Sequence, residues 1–184
     1  MNKEVFFIAD LYESDLAGGA EIVNEQVIGL LSRDGYNVSK LYARLVTVDL
    51  IQSIKTKPII LGNFITLRED VKYELTKGGY NYLIYEHDHK YVYDRNPAVF
   101  PNFKIPPNAL VNVDLYKKAT RVFCQSRQHQ DIIKMNLDLD NTVNLGSSLW
   151  SSEFFDTVSE IDITKTKKAA IVKATSHVKN QQRS

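Results

Sequence analysis

A doubly wound, mainly parallel α/β sheet is the fold class this sequence predicts, and three observations predict it. Short, continuous apolar runs recur, among them Val5-Phe6-Phe7-Ile8-Ala9, Ile59-Ile60-Leu61 and Val122-Phe123-Cys124. Such runs suit strands covered on both faces. Helical apolar stripes alternate with them, as a parallel sheet with crossover helices requires. Glycines punctuate the joins at Gly18-Gly19, Gly35 and Gly78-Gly79.

The elements follow in order. The first strand, 5–9, leads through a polar loop to Gly18-Gly19, where a helix over 19–34 opens. Ala20, Val23, Val27, Leu30 and Leu31 form its apolar stripe, and Gly35 is placed to end it. A second strand is predicted over 37–43, a short helix over 48–54 and a third strand over 58–65. A helix over 67–77 ends at the second glycine pair, and the fourth strand covers 80–85. Residues 86–107 carry Pro97, Pro101, Pro106 and Pro107, so they read as a long irregular surface loop. Loops of that length in compact domains are commonly functional or mobile. A helix over 109–119 and a fifth strand over 121–124 follow. Ser126 is a good N-cap for a helix reaching residue 135. A weak sixth strand over 142–145, a short helix over 151–158, a polar linker over 159–168 and a strand over 169–172 complete the reading.

At 184 residues, one main domain is the default, and such a chain can bury a core without covalent staples. The hydrophobic content of 43% is ordinary for a soluble protein. The net charge of +1, with no Arg/Lys stripe, gives no footprint for nucleic acid. The single cysteine, Cys124, precludes an intramolecular disulfide and reads as a small core residue in a reducing compartment. The start lacks a signal-peptide pattern, and no apolar run has membrane-spanning length. The expectation is a soluble, cytoplasmic chain, with peripheral membrane contact still open.

The most informative stretch is the turn into the first helix. Adjacent glycines let a ligand approach backbone closely. A helix starting there aims free N–H groups and the positive end of its dipole at the same spot, which suits phosphate or another anion. Plain turn chemistry is the competing explanation. G-x-G-x-x-G is absent, as is the Gly-Lys-Ser/Thr of a P-loop.

Gly18-Gly19-Ala20-Glu21, with a helix ending in Ser32-Arg33-Asp34-Gly35-Tyr36-Asn37-Val38, resembles the opening of GT-B glycosyltransferases of the family-4 type. Tyr36 stands where a His is common in that pattern. Ala119 through Ser126 is similar to the family's fifth strand and following serine, and Asn144-Leu145-Gly146 through Phe154-Phe155 resembles the passage to a second domain. The resemblance implies a Rossmann-like acceptor-side domain over 1–158, then a linker and the first strand of an incomplete donor domain over 159–184. It implies transfer from a nucleotide-sugar donor to a carbohydrate or glycosylated acceptor, with no cofactor and no metal, because helix dipoles and basic groups stabilise the leaving diphosphate. It places Gly18, Gly19 and Glu21 at the donor diphosphate or transferred sugar. Lys179-Asn180 stands roughly where the family has a diphosphate-binding Lys-Gly, so Lys179 is the candidate donor ligand, with Lys173 nearby. The acidic donor motif is missing. The expectation is therefore a cut piece or a natural truncation with little activity alone.

Glu86-His87-Asp88-His89 is the densest chemical cluster. His87 and Asp88 are the candidate catalytic groups, since His titrates near neutrality. His89 is a candidate sugar ligand. A polar loop start held by local hydrogen bonds explains the same residues. His-x-His with Asp can chelate a metal, but His129 and His177 supply no supporting spacing. Downstream, Tyr91, Tyr93, Arg95 and Asn96 suit sugar faces and hydroxyls, or a loop packed on its own aromatics. Arg127 suits an anion or solvent, and Trp150 a ligand or the core edge. The alternative function is a non-catalytic module that binds a sugar or a partner protein. A nucleotide-dependent oxidoreductase ranks third, since its fingerprint is absent.

Overall fold

The computed structural model describes residues 3–161. Six parallel strands form one sheet in the order β2-β1-β3-β4-β5-β6. They are β1 (Lys3–Ala9), β2 (Tyr36–Tyr42), β3 (Ile59–Leu61), β4 (Tyr82–Glu86), β5 (Arg121–Cys124) and β6 (Thr142–Asn144). The helices are α1 (Gly19–Arg33), α2 (Val48–Ser53), α3 (Glu69–Thr76), α4 (Val113–Lys118), α5 (Arg127–Leu137) and α6 (Ser152–Ser159). This is a Rossmann-like α/β arrangement.

The continuous apolar runs are explained by burial on both faces. Ile8, Ile59, Leu61, Ile84 and Val122 point to one side, where α2, α3, α4 and α5 contribute Ile51, Val71, Leu75, Leu115 and Ile133. Val5, Phe7, Ile60 and Tyr85 point to the other, against Val23 and Ile28 of α1. Each fully buried aliphatic side chain stabilises the fold by about 1.5–3 kcal/mol, so these two layers dominate the energetics.

The chain winds from β1 outward to β2, then crosses to β3 on the opposite side of β1. The carboxyl ends of β1 and β3 beside that reversal are the usual ligand position in open α/β sheets. Asp10, the first residue after β1, ties down the loop after β3 there. Its carboxylate accepts from Ile65 N–H and Thr66 N–H, both at 2.8 Å, and from Thr66 Oγ1 at 2.6 Å. Gly62, directly after β3, allows the close approach of α1. A Cβ there would lie 2.6 Å from the Phe7 ring and 2.7 Å from Asn24 Oδ1. Gly62→Ala should therefore cost about 1–3 kcal/mol by overpacking. A urea unfolding midpoint checks this, and an unchanged midpoint would show that the neighbours yield freely.

Three of the boundary differences from expectation have a clear physical cause. The strand predicted over 58–65 pairs only through Leu61, because Gly62 turns the chain and Asp10 captures residues 65 and 66. The fourth strand is shifted to Tyr82–Glu86, because Gly78 and Gly79 both adopt positive φ and the turn they make extends past them. The helix predicted from 109 begins at Val113. Val92 and Leu110 form an antiparallel bridge, and Val111 N–H donates to Tyr91 C=O at 2.8 Å. That pairing holds the segment extended, and Asn112, at φ 55°, makes the turn into α4. The long 86–107 segment is irregular as expected, with short 3₁₀ turns at Pro97–Val99, Pro101–Phe103 and Pro107–Ala109.

The first compact unit ends at Trp150, and α6 belongs to a second unit starting at Ser151. In α6 the Ser151 hydroxyl accepts from Phe154 N–H at 3.2 Å, a normal N-cap. The expected strand over 169–172, with Lys173 and Lys179, lies outside the described residues. Among the described residues, no helix is long and apolar enough to cross a membrane.

Candidate functional site

The turn into α1 is open. Gly18 is half-buried, Gly19 is exposed, and no side chain caps the helix. A Cβ at Gly19 would touch nothing within 4 Å, so the space beside the first helical turn is empty. Glu21 is buried, and its carboxylate folds back to within 2.3 Å of where a Gly18 Cβ would sit. A side chain at Gly18 would have to displace the end of the Glu21 side chain, whereas Gly19 leaves room for a visitor.

One turn further along α1, Asn24 is fully buried. Its Oδ1 lies 2.9 Å from His87 Nε2, and the other ring nitrogen, Nδ1, lies 2.8 Å from Gln125 Nε2. Ser148 Oγ donates to Gln125 Oε1 at 3.0 Å. These contacts select one tautomer: Nε2–H donates to Asn24, and Nδ1 accepts from Gln125. The structure thereby joins α1, the end of β4, the end of β5 and the segment after β6 in one polar row along the carboxyl edge of the sheet. Burial pushes the His87 imidazole down to about 4, with the charge of Lys90 adding to it. His87 is a neutral, fixed ring at physiological pH.

Behind this row lies a buried charged cluster. Glu86 and Lys90 are both nearly inaccessible. Lys90 Nζ sits 3.2 Å from Glu86 Oε1 and 2.6 Å from Asp88 Oδ1. Asp88 N–H donates to Glu86 Oε1 at 2.9 Å, and the Tyr116 hydroxyl donates to Glu86 Oε2. Arg95 donates to Asp88 Oδ2 at 2.7 Å. Burial is the largest single influence and would raise the Glu86 carboxyl, but the Lys90 charge, His129, the Asp88 amide and His89 together outweigh it and hold the group at about 2. Asp88 is thus fully engaged with cations.

His89 adopts a left-handed backbone, φ 54°, and its Nδ1 hydrogen-bonds with the Tyr91 hydroxyl at 3.0 Å. Its ring lies 4.3 Å from that of His129, centroid to centroid. Burial lowers both rings, His89 to about 4. Tyr91 is fully buried against Tyr116, so it presents no ring face to a ligand, whereas Tyr93 is exposed. Arg127 is exposed and 3.4 Å from Asp131 on the same helix. Cys124 is buried and its thiol is pushed up to about 12 by burial, which leaves it without nucleophilic character. Among the described residues, no group of three or more His, Cys, Asp or Glu side chains is arranged to hold a metal ion.

Sequence reading missed Asn24, Gln125, Ser148, Lys90 and Tyr116. Asn24 carried a legible signal, because it interrupts the apolar stripe of α1, four residues after Ala20 and three before Val27. Gln125, Ser148 and Lys90 sit in loops or beside strands, where local pattern carries no such mark, and Tyr116 lies on the buried face of α4, where it reads as core.

No family model matches the chain, and no curated protein matches it.

Proposed function

We propose that the chain is the acceptor-side half of a GT-B glycosyltransferase of the family-4 type, acting on a nucleotide-sugar donor and a carbohydrate acceptor. The observation that carries this reading is the uncapped diglycine start of α1, open beside Gly19, in the loop that follows the carboxyl end of β1. Its free N–H groups suit a donor phosphate or a sugar hydroxyl. Behind it, Asn24 and His87 stiffen the wall, and a pre-set wall lowers the entropic cost of binding. Gly18, Gly19 and Glu21 would meet the ligand. His87 would position groups rather than shuttle protons, since both its nitrogens are bonded. Lys179 would serve the donor diphosphate.

A panel of nucleoside-diphosphate sugars titrated into the isotopically labelled chain tests this, read by amide chemical shifts. Saturable shifts at 18–22 that vanish in Gly19→Trp are expected. No shift at those amides with any donor would overturn the reading. The fixed, neutral His87 also favours a second reading, a sugar-binding module without catalysis. Saturable binding without nucleotide release on adding acceptor glycans would select it.

A further inference from the structure

We propose that a second basin, between the loop after β3 and the loop after β4, binds an acidic sugar: a hydroxylated ring carrying a carboxylate or phosphate. The cavity measures about 110 Å³, and Lys72, Lys90 and Arg95 line it with no anionic side chain among the lining residues. Their carboxylate partners stand behind or outside. Glu86 and Asp88 hold Lys90, and Asp88 also holds Arg95. Lys72 is held by Glu69 at 2.7 Å, yet Glu69 is 85% exposed while Lys72 is only 10% exposed. An exposed partner of that kind contributes little and exchanges readily for an incoming anion. The entering charge would displace the solvated Glu69 from Lys72 and share Arg95 with the part-exposed Asp88, with the buried Lys90–Glu86 pair behind them in a partly desolvated setting.

Two further observations point to a ligand here. Five of the six non-glycine residues with positive φ among the described residues fall in the 87–112 loop, namely His89, Arg95, Asn102, Phe103 and Asn112. Each such residue costs on the order of 1 kcal/mol, and backbone strain of this kind gathers at binding sites. Arg95 and Asn112 are themselves lining residues. In addition, Tyr93 lines the basin and is 83% exposed. An exposed ring beside fixed hydrogen-bond donors suits the apolar face of a sugar.

The anion half of this inference is independent of the transferase reading, and the sugar half names the acceptor class that reading leaves open. The test titrates inorganic phosphate, glucose, glucuronate and glucose 6-phosphate separately into the labelled chain. Both acidic sugars are expected to shift amides at 64–65, 93–95 and 111–112, at least about tenfold tighter than phosphate, with glucose alone silent. Lys72→Gln and Arg95→Asn should each weaken binding about tenfold. Asn tolerates the left-handed backbone at position 95, so the second variant keeps the loop. A preference for one acidic sugar over the other identifies the anion as carboxylate or phosphate. Equal affinity for phosphate and both acidic sugars, no saturable shift at all, or shifts untouched by both substitutions would overturn the proposal. Shifts confined to 18–22 would overturn it as well, while leaving the diglycine reading intact.

Discussion

Lys90→Met is expected to destabilise the folded chain by about 3–5 kcal/mol, because it strips the nearest cation from a buried carboxylate. Glu86 is wholly inaccessible, and Lys90 is the cation bonded to it. The Tyr116 hydroxyl and the Asp88 amide also bond Glu86, but neither carries the positive charge that keeps it ionised. Without Lys90 the carboxyl either stays charged and unpaired or takes up a proton near neutrality, and both routes cost folding energy. The paired change Glu86→Gln with Lys90→Met removes both charges and should recover more than half of the loss. Urea unfolding of the two variants measures this. A loss below about 1 kcal/mol in the single variant would show that water reaches Glu86, contrary to its burial.

Acidification should unfold the chain in two stages, the first driven by histidines. His87 and His89 each have a folded pKa near 4, below the ordinary 6.5, mainly through burial. His129 is lowered for the same reason. The unfolded chain therefore binds more protons than the folded chain between those values, so stability is complete above pH 6.5 and drains as pH falls toward 4. The loss is on the order of 2–3 kcal/mol for each of His87 and His89. Below about pH 4.5 the depressed Glu86 carboxyl adds a second loss, running down to about pH 2. Lys90 faces these rings as a cation and Glu86 and Asp88 as anions, and the histidines are neutral within that field. Unfolding free energies at a series of pH values check the first stage. His89→Phe should flatten the slope between pH 6.5 and 4, whereas an unchanged slope would place that proton uptake elsewhere.

The fold was largely legible in the sequence. Strands β1, β3 and β5 announced themselves as unbroken apolar runs, and α1 as a stripe bounded by Gly18-Gly19 and Gly35. The errors came where distant residues overrule local pattern. Leu110 and Val111 look helical, yet backbone bonds to Tyr91 and Val92 hold them extended. Tyr91 looked like a loop aromatic suited to a ligand, yet the chain folds it under Tyr116 and leaves Tyr93 outside. Polar-loop composition does not reveal which of two nearby rings turns inward.

By itself, the sequence determined the parallel α/β class, the diglycine turn into α1 and the density of chemistry at Glu86-His87-Asp88-His89. These are local properties, written in side-chain periodicity and in the conformational range of glycine. Tertiary structure alone decided that His87 is clasped between Asn24 and Gln125, that Lys90 neutralises Glu86, and that Lys72, Lys90 and Arg95 line one basin. Those pairings join residues from different strands and loops. Burial then sets their charge states, because desolvation and neighbouring charge act through space rather than along the chain.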